Sequence, residues 1–140
     1  MNGNGKGKHA SPLSLVQAMY EAVNTRDWDA GFGLLADAFE WHEPAQAFHS
    51  GTHRGFDDIR QRLEEQLEVF DELTIEPEEF HELGELIAVP VGQRARGEAS
   101  GVELEIRIGH LWTVRDGKIA RLDVFAARDD ALRAAERATT

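Results

Sequence analysis

The chain has 140 residues, 41% of them hydrophobic, and this length supports one domain with a single core. Its formal net charge of −11 disfavours partners that reward clustered Lys and Arg, so we expect neither nucleic acid nor a membrane surface as partner. The absence of cysteine excludes disulfides and thiolate metal sites. No apolar run suits a membrane span or signal peptide, and we expect a cytoplasmic protein.

The first residues are rich in Gly, Asn and Lys, and they have little to bury. We therefore predict a flexible tail over residues 1–11 and one domain over residues 12–140. Ser11 can cap a helix whose first turn holds Pro12, because apolar residues then recur at helical spacing as far as about Asn24.

Further elements follow in chain order. Asp27 can cap a short second helix, and alternation predicts a brief strand over residues 38–43. Residues 44–55 have no clear period, which indicates a loop or a short edge hairpin. Residues 56–70 form the strongest amphipathic pattern, a third helix.

The second half of the chain is typical of a run of antiparallel strands. Turn signals separate four candidate strands, and a short helix capped by Asp129 or Asp130 ends near Arg137. The strands cover residues 73–80, 86–93, 102–115 and 119–126.

Residues 106–125 form a long predicted hairpin that carries a histidine and a tryptophan on an apolar face. The first arm has the period-2 pattern of a strand with one buried face. The residues predicted to be buried are Val102, Leu104, Ile106, Ile108, His110, Trp112 and Val114.

The partner of His110 across this hairpin depends on the turn. A two-residue loop of Asp116 and Gly117 would set Asp123 opposite His110. A three-residue loop over 115–117 would set Leu122 there instead.

The two alternatives differ in what they bury. The two-residue loop would insert Arg121 and Asp123 into the apolar face, which costs several kcal/mol unless the charges are paired. Two acceptable turn types differ by much less. We therefore predict the three-residue loop, with both charges on the outer face and three uncharged residues beside His110: Ala120, Leu122 and Val124.

This order of elements is typical of an α+β domain with helices on one face of a curved sheet. Four segments resemble the SnoaL-like branch of the NTF2-like superfamily, which includes ketosteroid isomerase-like and polyketide cyclase-like proteins: NTRDWDAGFGLLADAFEWHEP, GTHRGFDDI, SGVELEIRIGHLWTVRDGKIARLDVF and ALRAAE. The resemblance covers the chain from about Ser14 to its end. It implies a cone-shaped domain, with three N-terminal helices on a curved antiparallel or mixed sheet enclosing a cavity, a short C-terminal helix, and a homodimer.

The resemblance also implies a role for Glu43. Residues 26–44 align without gaps with ketosteroid isomerase and place Glu43 where that enzyme keeps its general-base carboxylate. A carboxylate in an apolar pocket has its pKa raised toward neutrality, where it can accept and return a proton. The alternative is a solvated glutamate at a strand end.

Two departures from the isomerase pattern concern the oxyanion site. Met19 matches the oxyanion-stabilising tyrosine, with Tyr20 one step around the helix, and His110 matches the acid on the penultimate strand. A neutral imidazole can still donate a hydrogen bond to an oxyanion. Alternatively, His110 is a core histidine bonded to a backbone carbonyl or to Tyr20.

Apolar side chains on the predicted inner faces are candidates for the wall of a ligand cavity, although large aromatic residues can also simply fill a core. Outer-face residues such as Leu111 and Phe125 are candidates for a dimer contact. The predicted ligand-binding residues are Met19, Tyr20, Phe39, Trp41, Trp112, Leu122 and Val124.

We predict no cofactor. We also predict no metal, because His42, His49 and His53 lie in a segment that resembles a loop and has no metal-binding motif. Two functions fit this sequence. The first is a cofactor-independent acid–base enzyme, of isomerase, cyclase, dehydratase or epoxide hydrolase type, which uses Glu43 and His110 on a hydrophobic cyclic or polyketide-like substrate. The second is a non-catalytic ligand-binding or dimerisation module.

Overall fold

The computed structural model describes residues 11–45, 51–97 and 101–139. Residues 1–10 of the predicted tail lie outside these ranges. Four helices and seven strands occur within the described ranges, as α1 Pro12–Thr25, α2 Trp28–Gly33, β1 Leu35–Glu43, β2 Gly51–Arg54, α3 Phe56–Val69, β3 Phe70–Pro77, β4 His81–Leu83, β5 Leu86–Gly97, β6 Glu103–Arg115, β7 Lys118–Phe125 and α4 Arg128–Thr139.

The described strands form one mixed sheet in the order β2-β1-β7-β6-β5-β3, and β4 pairs with β5 beside β3. Strands β1 and β7 are parallel, whereas the other pairs are antiparallel. The predicted α+β class with a curved mixed sheet is confirmed. No helix of the described ranges is long and apolar enough to cross a membrane.

Helix α1 is fixed at both ends. The Ser11 hydroxyl accepts a hydrogen bond from the Ser14 backbone N–H at 3.1 Å, as predicted for an N-cap. Near the other end, the Asn24 side chain donates to the Ile75 carbonyl and accepts from the Ile75 N–H, at 2.8 and 2.9 Å. Arg26 donates to the Leu73 carbonyl at 2.6 Å. These bonds hold α1 against β3 and across the inner face of the sheet.

The turn between β6 and β7 differs from the prediction. Arg115 pairs with Lys118, and the two residues between them, Asp116 and Gly117, have φ angles of 52° and 76°. Positive φ at both central residues defines a two-residue type I′ turn. The predicted three-residue loop was therefore wrong.

A bulge then shifts the pairing by one residue. Val114 lies opposite Ile119 and Thr113 lies opposite Arg121, which leaves Ala120 unpaired. Because of this extra residue, each later side chain of β7 points to the face opposite to the one it would have in a regular two-residue hairpin. Ile119, rather than the predicted Ala120, joins the buried inner face.

As a result, His110 lies opposite Val124 and Trp112 lies opposite Leu122. Neither Leu122 nor Asp123 is the partner of His110, so both predicted pairings were wrong. The predicted separation of faces holds, because opposite residues in an antiparallel pair share a face. Asp123 is on the other face and pairs with the arginine two residues before it, at 2.8 Å.

Helix α4 covers part of the outer face of the sheet. Leu111 is buried in a cluster with Ala131 and Ala135 of this helix, and Phe125 packs against the same cluster. Leu111 is therefore not available as the dimer contact that the sequence suggested.

The first part of the buried face predicted for residues 102–115 is not buried. Val102, Leu104 and Ile106 are 55%, 44% and 46% exposed. From His110 onward the inner-face residues are buried. Alternation identified the face correctly, but it does not report where covering elements end.

Candidate active site

A cavity of about 640 Å³ lies between helices α1 to α3 and the inner face of the sheet. Both predicted catalytic residues and all seven predicted ligand-binding residues line it: Glu43, His110, Met19, Tyr20, Phe39, Trp41, Trp112, Leu122 and Val124. Their shared location is a geometric fact, and their roles stay predictions.

Glu43 is the last residue of β1 and faces the cavity. Its Oε1 accepts a hydrogen bond from the Trp41 indole N–H at 3.0 Å. Burial raises the pKa of Glu43 to about 7, although the Trp41 bond and the nearby His53 oppose this rise. The group is therefore divided between carboxylate and carboxylic acid near neutral pH.

His53 supports this end of the cavity from strand β2. It lies opposite Trp41 in the antiparallel pair, their ring centroids are 5.5 Å apart, and its Nδ1 lies 3.4 Å from an Asp58 carboxylate oxygen. The segment that the sequence left as a loop or edge hairpin thus contains an edge strand. The described residues contain no cluster of three metal-ligating side chains, and His49 lies outside them.

His110, Tyr20 and Trp112 form a hydrogen-bonded cluster deep in the cavity wall. The Trp112 indole N–H donates to the Tyr20 hydroxyl oxygen at 2.8 Å, and the same hydroxyl lies 2.7 Å from His110 Nδ1. With Trp112 as donor, the hydroxyl hydrogen is best satisfied by donation to Nδ1. This arrangement assigns the imidazole proton to Nε2.

Burial lowers the pKa of His110 to about 3, so the ring is neutral at physiological pH. Burial also raises the pKa of Tyr20 well above its ordinary value, which keeps the hydroxyl protonated as a donor. Among the described residues, no further hydrogen bond to the His110 ring is formed. The neutral ring can therefore offer its Nε2–H to a ligand in the cavity.

Four polar cavity residues were missed from the sequence. Arg62, Glu65 and Gln66 line the cavity from α3, and Gln93 lines it from β5. Arg62 donates to the Glu65 carboxylate at 2.8 Å. Helical spacing could have identified Arg62 and Gln66 as cavity residues, because they share a helix face with the apolar residue Ile59.

The family comparison agrees with this architecture. The profile of the SnoaL-like domain matches residues 16–122, and the chain therefore belongs to the SnoaL-like domain family. The resemblance inferred from the sequence is confirmed. No curated protein sequence matches significantly.

Several solved structures have the same fold. One is TerC, which was co-crystallized with polyporic acid and is 24% identical to this chain. The match covers 90% of this chain and 99% of TerC, with a TM-score of 0.74. An NTF2-like protein from Burkholderia thailandensis E264 is 27% identical over 88% and 98% of the two chains, with a TM-score of 0.76. IdmH from Streptomyces antibioticus, a proposed polyketide cyclase, is 21% identical over 91% and 99%, with a TM-score of 0.74. These likenesses establish the NTF2-like fold.

Proposed function

We propose that this protein is a cofactor-independent acid–base enzyme that moves a proton on a hydrophobic cyclic or polyketide-like substrate. The observation that carries this proposal is that two chemically complementary groups line one cavity. Glu43 has a pKa near 7, and His110 is a neutral ring with an available N–H. Such a pair suits removal of a proton from carbon next to a carbonyl group.

The chemistry follows from the protonation states. Ionised Glu43 takes the proton from the carbon, and negative charge develops on the carbonyl oxygen. The Nε2–H of His110 donates a hydrogen bond to that oxygen, while Tyr20 and Trp112 hold the ring in the required tautomer. Glu43 then returns its proton to the substrate, and the enzyme is restored without any electron transfer.

The apolar wall supports the substrate class. Phe39, Trp41 and Trp112 offer flat aromatic surfaces in the same cavity. The polyporic acid ligand of TerC and the proposed activity of IdmH point to ring-containing and polyketide-like molecules.

The proposal is tested by following exchange of the α-protons of 2-tetralone, a hydrophobic cyclic ketone, in D2O by NMR. The wild-type protein should accelerate exchange, with a rate that rises with pH around a midpoint of about 7. Glu43→Gln should reduce the protein-catalysed rate at least about a hundredfold, and His110→Ala should reduce it to a similar extent.

Each outcome decides between the two functions. Binding of 2-tetralone without any catalysed exchange would favour the non-catalytic ligand-binding module. Catalysed exchange that survives both substitutions would remove Glu43 and His110 from the proposed roles. Thermal unfolding of each variant shows whether a lost rate reflects a lost fold.

We also propose a homodimer, on the strength of the family resemblance. Light scattering coupled to size-exclusion chromatography should give twice the 15.6 kDa mass of the chain. A mass of one chain at all concentrations would contradict this assembly.

A further inference from the structure

Beyond the cavity, the inner face of the sheet continues as an exposed apolar strip, formed by Val102, Leu104 and Ile106. These side chains are 55%, 44% and 46% exposed. Among the residues whose side chains the structure describes, they are three of the four large hydrophobic ones that are exposed, the fourth being Phe56 on α3. Leu104 and Ile106 share one face of β6 and Val102 directly precedes this strand, so the three form a continuous surface rather than scattered exposure.

The apolar strip is continuous with the cavity. Ile106 belongs to both, because it lines the cavity wall and is also exposed. The neighbouring Leu104 lies opposite Ala95, and Ala95 lies opposite Leu73 on the next strand. Ala95 and Leu73 both line the cavity. The apolar strip therefore adjoins the cavity wall directly at Ile106 and, through the strand pairing of Leu104, at Ala95.

The charged residues that alternate with the strip residues do not contribute to the apolar strip. Glu103 and Glu105 alternate with the strip on the opposite face of β6. They form ion pairs there with Arg96 at 4.0 Å and with Arg94 at 3.7 Å. The apolar strip thus offers hydrophobic contact without charge.

The size of the strip favours a small molecule over a protein partner. Half-exposed Val, Leu and Ile side chains present about 100–200 Å² in all, whereas a stable protein interface needs about 800 Å² from each partner. From Val102 to Ile106 the strip is about 13 Å long, at the rise of an extended strand. These dimensions suit one unbranched apolar chain.

We propose that the ligand is longer than the cavity, and that an uncharged apolar chain of the ligand leaves the cavity over Ile106 and lies along the strip on Leu104 and Val102. The reacting part of the ligand would lie between Glu43 and His110, so this inference rests on the proposed function and specifies its substrate class. The substrate is then an elongated molecule with a carbonyl-containing head and a hydrophobic tail.

The test uses n-alkyl phenyl ketones, from acetophenone to dodecanophenone, as probes of increasing length. All three tryptophans line the cavity, so quenching of intrinsic fluorescence reports binding directly. For probes that outgrow the cavity, the Kd of the wild-type protein should fall about twofold per added methylene, half of the effect expected for full burial. The double variant Val102→Ser/Leu104→Ser should lose this dependence and keep the wild-type Kd for acetophenone. Glu103→Gln, on the other face, is the matched control and should bind the whole series like wild type.

An equal length dependence in wild type and double variant would overturn the inference, and so would a Kd that stops falling once the cavity is full. In either case binding of acetophenone and exchange of 2-tetralone would leave the proposed function standing. If no ketone binds, both proposals fail. A loss of dimer mass in the double variant would show that a second copy of the chain covers the strip, which would also overturn the inference.

Discussion

The two faces of strand β6 pack in opposite ways. On the outer face, Gly109 lies so close to α4 that an added Cβ would be 2.7 Å from the Arg128 carbonyl oxygen and 2.9 Å from the Ala131 Cβ. On the inner face, the next residue, His110, lines a cavity of about 640 Å³. Successive residues of one strand therefore face a closely packed helix and an open cavity in turn.

This difference distinguishes burial that stabilises the fold from burial that serves a function. The outer face approaches α4 closely at Gly109, where the packing uses small side chains such as Ala131 and Ala135. The inner face buries a carboxyl and an imidazole beside unfilled volume, although burial of polar groups carries a free-energy cost. A stable core alone would not require that arrangement, which directs attention to the inner face as the functional one.

The largest expected effect tests the outer face. Gly109→Ala should lower the free energy of unfolding by about 3 kcal/mol, because α4 must shift to admit the methyl group. Denaturant unfolding measures this loss. Gly33→Ala is the matched control, since nothing lies within 4 Å of its Cβ position, and it should cause no loss. Equal stability of both variants would contradict the close packing.

On the inner face, Glu43→Gln should change how stability depends on pH. Between pH 4.5 and 7 the unfolded chain loses a proton that folded Glu43 keeps, so the free energy of unfolding of wild type falls as pH rises through this window. The variant lacks this fall and should gain about 2 kcal/mol relative to wild type between pH 5 and 8. Urea unfolding at both pH values checks the gain, and parallel pH profiles would show that Glu43 is not buried.

His110→Phe should have the opposite dependence on pH. Because the pKa of His110 is lowered from 6.5 to about 3, its contribution to stability is present above pH 6.5 and is lost as pH falls toward 3. The variant is destabilised at pH 7, where Tyr20 loses its acceptor, but it should recover about 2 kcal/mol relative to wild type by pH 5. The same urea titrations provide the comparison. A difference between the two proteins that does not change with pH would rule out a buried neutral imidazole.

The smallest expected effect is an added methylene on the cavity side. Val124→Ile places this group beside open volume, so the free energy of unfolding should change by less than about 0.5 kcal/mol. Thermal and denaturant unfolding measure it under the conditions used for Gly109→Ala. A loss as large as that of Gly109→Ala would show that the cavity does not persist in solution.

Local pattern was sufficient for much of this fold. Helical spacing predicted α1 and α3, and alternation along β6 placed His110 and Trp112 on the inner face. The likeness of residues 26–44 to ketosteroid isomerase directed attention to Glu43, which the structure then brings to the cavity of His110.

Other features depend on contacts that no local pattern contains. Tyr20 was one of two possible partners for His110, and only the packing of α1 on the sheet, 90 residues away in sequence, brings the two side chains together. The support that His53 gives to Trp41 likewise needed the pairing of β1 with β2.

The hairpin from Ile106 to Phe125 shows which features follow from the sequence and which depend on tertiary structure. The sequence by itself determined which side chains of β6 share a face, because the two-residue period of a strand is fixed by the backbone. Tertiary structure decided how each face is used, since the bulge at Ala120 set His110 opposite Val124, α4 buried Leu111 on the outer face, and Leu104 was left exposed on the inner face. Periodicity reports the direction of a side chain, whereas burial depends on elements distant in sequence.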